Sequence, residues 1–294
     1  MIRPPMLKKL LSEVGFRAGR KSKDTQLLEW SARQDPHWLR PAIELARRGS
    51  PGAAGRCFLA AASALRECAL RKDGTPAESK RFIAMLAEHI DRSRGQCFQD
   101  VAALMFASTR TGGYFLEVGT GNGELHSNSF MLERDFGWSG IVFEPDRRYH
   151  EVLRAKRKAR LEVRPAFSRD GETMRFLESS RSGALSTLEG FKGEDGRIRR
   201  GKWLEVKTVT LDTALAEAGA PRTIDYASID TEGSELEVLK GIDFGRWDLR
   251  FLSIEHNYVP GKKEEIARFL APHGFRPVLE EFSCMDIWLA RAGA

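Results

Sequence analysis

Acids and glycines recur at the ends of short apolar runs in the second half of the chain, where their spacing suits ligand chemistry. The first such place is Glu117-Val118-Gly119-Thr120-Gly121-Asn122-Gly123, a carboxylate followed by three glycines spaced by two. Glycines allow a sharp strand-to-helix turn and let a ligand approach the main chain, because no Cβ intervenes. The second is Glu144, which closes Ile141-Val142-Phe143 and precedes Pro145-Asp146. A carboxylate there can accept hydrogen bonds from both hydroxyls of a ribose. The third is Ile229-Asp230-Thr231-Glu232-Gly233-Ser234-Glu235, and the fourth is Glu255-His256-Asn257. Histidine has an unperturbed pKa suited to a base near neutral pH, so His256 and Asp230 are the expected catalytic residues, with Glu232 a further candidate. Ser234 and Glu235 read as the first turn of a helix ending near Gly241, which makes Glu235 and Glu237 helix-dipole and surface acids.

A glycine-rich turn is shared by dinucleotide and S-adenosylmethionine (SAM) binders. Two features favour the second. The last spacing is Gly121-x-Gly123 rather than the G-x-x-G that seats a helix near a pyrophosphate. Glu117 would also set a carboxylate beside that anion, whereas SAM carries a sulfonium and an ammonium and no phosphate. The expected cofactor contacts are Glu117, Gly119, Thr120, Gly121, Asn122, Gly123, Glu144 and Pro145.

The elements needed to hold these residues follow from the pattern after Gly95. Tyr114 to Val118, Gly140 to Phe143, Leu161 to Val163, Ile224 to Ile229 and Phe251 to Ile254 alternate with helical segments, the signature of a parallel sheet with crossover helices. In an open α/β sheet the ligand lies beyond the carboxyl ends of the strands, where these acids stand. Phe275 to Phe282 and Cys284 to Ala290 have no helix between them and read as a closing antiparallel hairpin. Thr173 to Leu177 and Trp203 to Val209 read as two further strands around a polar loop, Gly190 to Lys202, which is either a mobile lid or a solvated connector. Residues 1–23 form a basic arm, 24–92 a helical extension of three or four helices, and 93–294 the α/β domain.

Composition narrows the rest. The 294 residues are 41% hydrophobic and 30% charged, which excludes a disordered or fibrous chain. No apolar run reaches the roughly 20 residues of a membrane span, and Lys8-Lys9 interrupts the one early stretch that resembles a signal, so a cytoplasmic protein is expected. Four scattered cysteines and six dispersed histidines support neither a disulfide framework nor a zinc site; the cysteines read as reduced, mostly buried thiols. The formal charge of +6 resides in residues 1–23, where Arg3, Lys8, Lys9, Arg17, Arg20, Lys21 and Lys23 face Glu13 alone. Leu7, Leu10, Leu11 and Val14 lie at helical spacing there, so the arm can touch an anionic surface. The remainder is near neutral with no basic-aromatic stripe, so nucleic acid is not the expected main ligand.

Read together, Ser93 to Asp100 (with Gln96, Gln99 and Asp100), Gly113-Tyr114-Phe115-Leu116-Glu117-Val118-Gly119, Ser127-Asn128-Ser129, Gly137-Trp138-Ser139-Gly140-Ile141-Val142-Phe143-Glu144-Pro145, Ile229 to Glu235 and Ser253 to Asn257 resemble the FkbM family of SAM-dependent methyltransferases. The resemblance spans residues 93–290 in order. It implies a class I, Rossmann-like methyltransferase fold and O-methylation of a hydroxyl on a sugar, glycan or secondary metabolite. It also implies that Glu117, Gly119 and Glu144 contact SAM while Asp230 and His256 face the acceptor. The chain departs from the family where members read Gly-Ala-Asn-Asp-Gly and it reads Gly119-Thr120-Gly121-Asn122-Gly123. The expected site holds no metal; in a variant reading Asp230, Glu255 and Asn257 give oxygen ligands to a hard cation. The rival readings are an NAD-dependent oxidoreductase and a non-catalytic scaffold that retains the sheet.

Overall fold

The computed structural model describes Gln26, Leu28, Glu29 and residues 77–107, 111–180, 185–191 and 198–291. The chain divides into two compact units, Met1–Ala77 and Glu78–Ala294. The basic arm, nearly all of the helical extension before residue 77, Cys57, Cys68 and residues 192–197 of the polar loop lie outside the described residues.

The second unit is built on a seven-stranded sheet. Its strands are β1 (Tyr114–Val118), β2 (Ser139–Phe143), β3 (Arg160–Glu162), β7 (Thr223–Ile229), β8 (Asp248–Glu255), β9 (Phe275–Pro277) and β10 (Asp286–Arg291), in the order β3-β2-β1-β7-β8-β10-β9. The β3-β2-β1-β7-β8 pairs are parallel, and β10 runs antiparallel to both β8 and β9. The expected runs are these strands with ends shifted by a few residues, and the expected hairpin is β9–β10.

Two-residue alternation divides each strand between two cores. Leu116, Val118, Ile141, Phe143, Ile229, Leu252 and Ile254 face helices α5 (Leu211–Glu217), α6 (Glu235–Lys240) and α7 (Lys262–Leu270). Phe115, Val142, Tyr226, Phe251 and Trp288 face α1 (Ala77–His89), α2 (Gln99–Phe106) and α3 (Phe130–Phe136). Helix α4 (His150–Lys156) connects β2 to β3. Phe82 of α1 sets its ring against Trp288 and Phe282, so this helix is part of the second unit.

Between β3 and α5 the chain adds a three-stranded antiparallel sheet, ordered β5 (Thr187–Leu188), β4 (Thr173–Ser179), β6 (Gly201–Lys207). The sequence reading found β4 and β6 but not β5, whose two residues are too short to show a period. Strand order reverses between β1 and β7, and at such a switch point the loops leaving adjacent strand ends diverge and leave a crevice.

Candidate active site

The turn after β1 sits against the tip of β7. Gly119 has φ +86°, and a Cβ there would lie 1.8 Å from the Asp230 carbonyl oxygen, so no other residue fits without displacing main chain. Gly119 N–H donates to Phe143 O at 3.1 Å, and Asp230 N–H donates to Val118 O at 3.0 Å. Three strand tips are thereby tied together at the crevice.

Glu144 closes the next side. Its Oε2 accepts from Gly121 N–H at 2.7 Å and its Oε1 from Asp146 N–H at 2.9 Å. Burial pushes its carboxyl up to about 8 against those two bonds. Asp146, wholly buried, takes Arg148 Nε at 2.8 Å and Ser186 Oγ at 3.1 Å. Burial raises the Asp146 carboxyl, but the Arg148 bonds outweigh it and its pKa is lowered. The Ser186 bond ties the segment after β2 to the small sheet.

These elements surround a cavity of about 470 Å³, within the range of small-molecule sites. Of the expected site residues, Gly119, Thr120, Gly121, Asn122, Glu144, Pro145 and Asp230 line it. The small sheet adds Phe176, Ser186, Thr187 and Leu188. Five carboxylates line the cavity, Glu144, Asp230, Glu232, Glu255 and Asp286, and among the described residues no lysine or arginine does. Burial, and then the charge of Glu255, raises the Asp230 carboxyl well above the ordinary range. Burial followed by Glu232 and Glu235 pushes Glu255 up to about 8, and burial brings Asp286 to about 6 despite the Gln99 hydrogen bond. Two buried oxygens on the wall, Thr120 Oγ1 and Asn128 Oδ1, have no hydrogen-bond partner.

Three expected contacts fall elsewhere. Glu117 is 2% exposed and does not line the cavity. Its carboxylate accepts from Ser127 Oγ at 2.9 Å, Asn128 N–H at 2.7 Å and Ser129 Oγ, and lies 3.6 Å from Arg157 Nη1. Gly123 also lies off the wall; at φ +77° it packs on α4, where a Cβ would meet Leu153 Cδ2 at 2.4 Å. His256 is buried, and its Nδ1 accepts Tyr258 N–H at 3.1 Å. That bond occupies the ring's basic nitrogen, and burial followed by Lys263 lowers its pKa. It does not line the cavity either.

Glu235 corrects another expectation. It begins α6 with Ser234 as N-cap and Gly241 as C-cap, as the sequence indicated, but it is fully buried rather than a surface acid. It accepts N–H bonds from Thr231 at 3.1 Å and Gly233 at 3.0 Å and pairs with Lys262. Glu237 fits the surface reading, bonded to Lys240 at 2.5 Å. Of the two described cysteines, both free, Cys97 is buried and Cys284 is exposed. No described helix is long and apolar enough to cross a membrane.

Sequence reasoning missed Asp286, which bonds Gln99 Nε2 at 2.8 Å, and it missed Arg157. A single arginine at a helix end carries no signal of burial. The wall from the small sheet was also unforeseen. A family model described as the methyltransferase FkbM domain matches residues 117–277, from within β1 to β9 and over half of the chain. No curated protein matches the chain.

Proposed function

The chain belongs to the FkbM methyltransferase family, and we propose that it uses SAM to methylate a hydroxyl on a sugar, glycan or secondary metabolite through a class I fold. The observation that carries this reading is the cavity wall, with five carboxylates and no described lysine or arginine. Such a wall offers a pyrophosphate no lysine or arginine to pair with, whereas a cationic ligand would favour the ionised form of its raised acids, which argues against a nicotinamide dinucleotide. The position of the crevice at the β1–β7 switch point supports the same reading.

SAM, when bound, supplies a methyl group made electrophilic by its sulfonium. Glu144 would hold the ribose hydroxyls, its oxygens already fixed by Gly121 and Asp146 N–H groups. Thr120 Oγ1 and Asn128 Oδ1 would accept from the ammonium, relieving two buried acceptors whose lack of a partner costs on the order of 1–3 kcal/mol each. Glu117 acts as a positioning residue, holding segment 127–129 so that Asn128 faces the cavity. Asp230, just past the end of β7, would receive the acceptor's proton, with Glu255 beside it at the tip of β8. Alignment of the acceptor against the methyl lowers the barrier by several kcal/mol, up to about 10. His256, expected as base, has its nitrogen committed to Tyr258 and takes no part.

The test is incubation with methyl-labelled SAM and a panel of sugars, glycans and hydroxylated metabolites, followed by identification of the labelled atom. Label on a hydroxyl oxygen supports the proposal. Label on nitrogen or carbon, or none with any acceptor, contradicts the O-methyl assignment.

A further inference from the structure

We infer that Asp230, Glu232 and Glu255 form a binding site for one hard divalent cation of the Mg²⁺ or Mn²⁺ class at the tips of β7 and β8. One carboxylate oxygen from each lies within 4.8 Å of the others. Ligand bonds of about 2.1–2.5 Å place two oxygens of one ion no more than about 4.2–5 Å apart, so the cluster is already near coordination spacing. The donors are all oxygen, the set that hard cations prefer, with no imidazole or thiolate to favour zinc or copper.

A second observation points to a missing partner. Glu255 is only 5% exposed and lines the cavity; its carboxyl meets another acid, Asp230, and its Oε2 is sealed from solvent with no donor reaching it. A buried carboxylate oxygen in that state is costly unless a ligand reaches it. The neighbouring charges show where compensation stops. Arg199 pairs with Glu232 and Lys262 pairs with Glu235, while neither Asp230 nor Glu255 has a lysine or arginine partner among the described residues. The proposed methyl donor does not fill the gap: its sulfonium has no hydrogen to donate, and with one carboxylate and one ammonium it brings a net charge of only +1. Asn257, the third ligand of the variant sequence reading, does not line the cavity, and Glu232 takes that place. Only the ion's role, acidifying the acceptor hydroxyl, rests on the methyl-transfer reading.

The test uses the full chain, freed of metal by dialysis against chelator and returned to chelator-free buffer. Mn²⁺ is titrated while its free electron-spin signal is followed, with wild type, Asp230→Asn, Glu255→Gln and the control Glu237→Gln. Circular dichroism checks each fold, and either isosteric variant alone suffices if the other misfolds. The expected result is one saturable Mn²⁺ per chain in wild type and Glu237→Gln, competed by Mg²⁺ and weakened at least tenfold in the two site variants. Absence of saturable binding, or unchanged affinity in a folded site variant, overturns the site. SAM binding is measured separately in chelator: its loss with Mn²⁺ binding intact sinks the donor reading and leaves the cation site standing.

Discussion

Two buried acidic clusters lie close together at one end of the sheet and are built in opposite ways. Beneath the glycine turn, Glu117 is surrounded by donors and by Arg157. That arginine also donates to Gly123 O at 3.1 Å, Ser129 Oγ at 2.8 Å and Glu133 Oε2 at 3.1 Å. Its guanidinium further lies over the rings of Phe115 and Phe130, at 5.5 and 5.7 Å. At the tips of β7 and β8, Asp230 and Glu255 face one another without a described cation, and their pKa values are raised. The first cluster is satisfied within the chain and acts on architecture. The second lacks that compensation from lysine or arginine among the described residues, which is why the proposed function places its chemistry there.

The sharpest way to break this contrast is Arg157→Met. Removing one partner of a buried pair strands the other, so the loss of stability should be about 3–5 kcal/mol by chemical denaturation, with a large share recovered when Glu117→Gln is added. A cost below about 1 kcal/mol would show that the two clusters do not differ. Asp230→Asn should do the reverse. Turnover should fall by roughly 100-fold, while donor affinity stays near wild type and stability is equal or higher, because an uncompensated carboxylate has been neutralised. Glu144→Ala should weaken donor binding by about 1.5–3 kcal/mol, the worth of hydrogen bonds to a charged group, with the melting temperature little changed.

Glu144 also gives the contrast a pH signature. Its carboxyl ordinarily titrates near 4.5 and is raised to about 8 in the free protein. The unfolded chain therefore ionises first as pH rises. The contribution of Glu144 to stability is full below about 4.5, falls between about 4.5 and 8, and is lost above that. Glu144→Gln should flatten this part of the stability profile. Ribose hydroxyls donating to the carboxylate favour its ionised form, so donor binding should release a proton in the same window, detectable by calorimetry in buffers of different ionisation enthalpy. Net proton uptake would contradict the assignment. The smallest effect is expected from His256→Ala, which should leave turnover within about twofold of wild type; a drop of 10-fold or more would return the histidine to the mechanism.

Which acids stand at strand tips was legible in the sequence, because each ends an apolar run and the helices between runs force the strands parallel. The direction each acid points was not. Glu117 shares its strand face with Phe115, so alternation turns it into the α3 side, toward an arginine 40 residues away in the chain. His256 lies one residue past β8, where the chain turns toward Tyr258 and the ring leaves the cavity. Asp286 and the small sheet reach the site only through antiparallel pairings between distant segments, which local periodicity cannot reveal. Thus Gly119 and Glu144 were readable from their own neighbours, whereas Arg157 and Leu188 required the assembled fold.

The central claim, that the carboxylate-lined cavity receives a cationic methyl donor, is tested most directly by titrating the full chain with SAM and, in parallel, with NADH in a calorimeter. The account predicts saturable binding of one SAM per chain, weakened by Glu144→Ala, and no heat from NADH. Saturable NADH binding with none for SAM would contradict it.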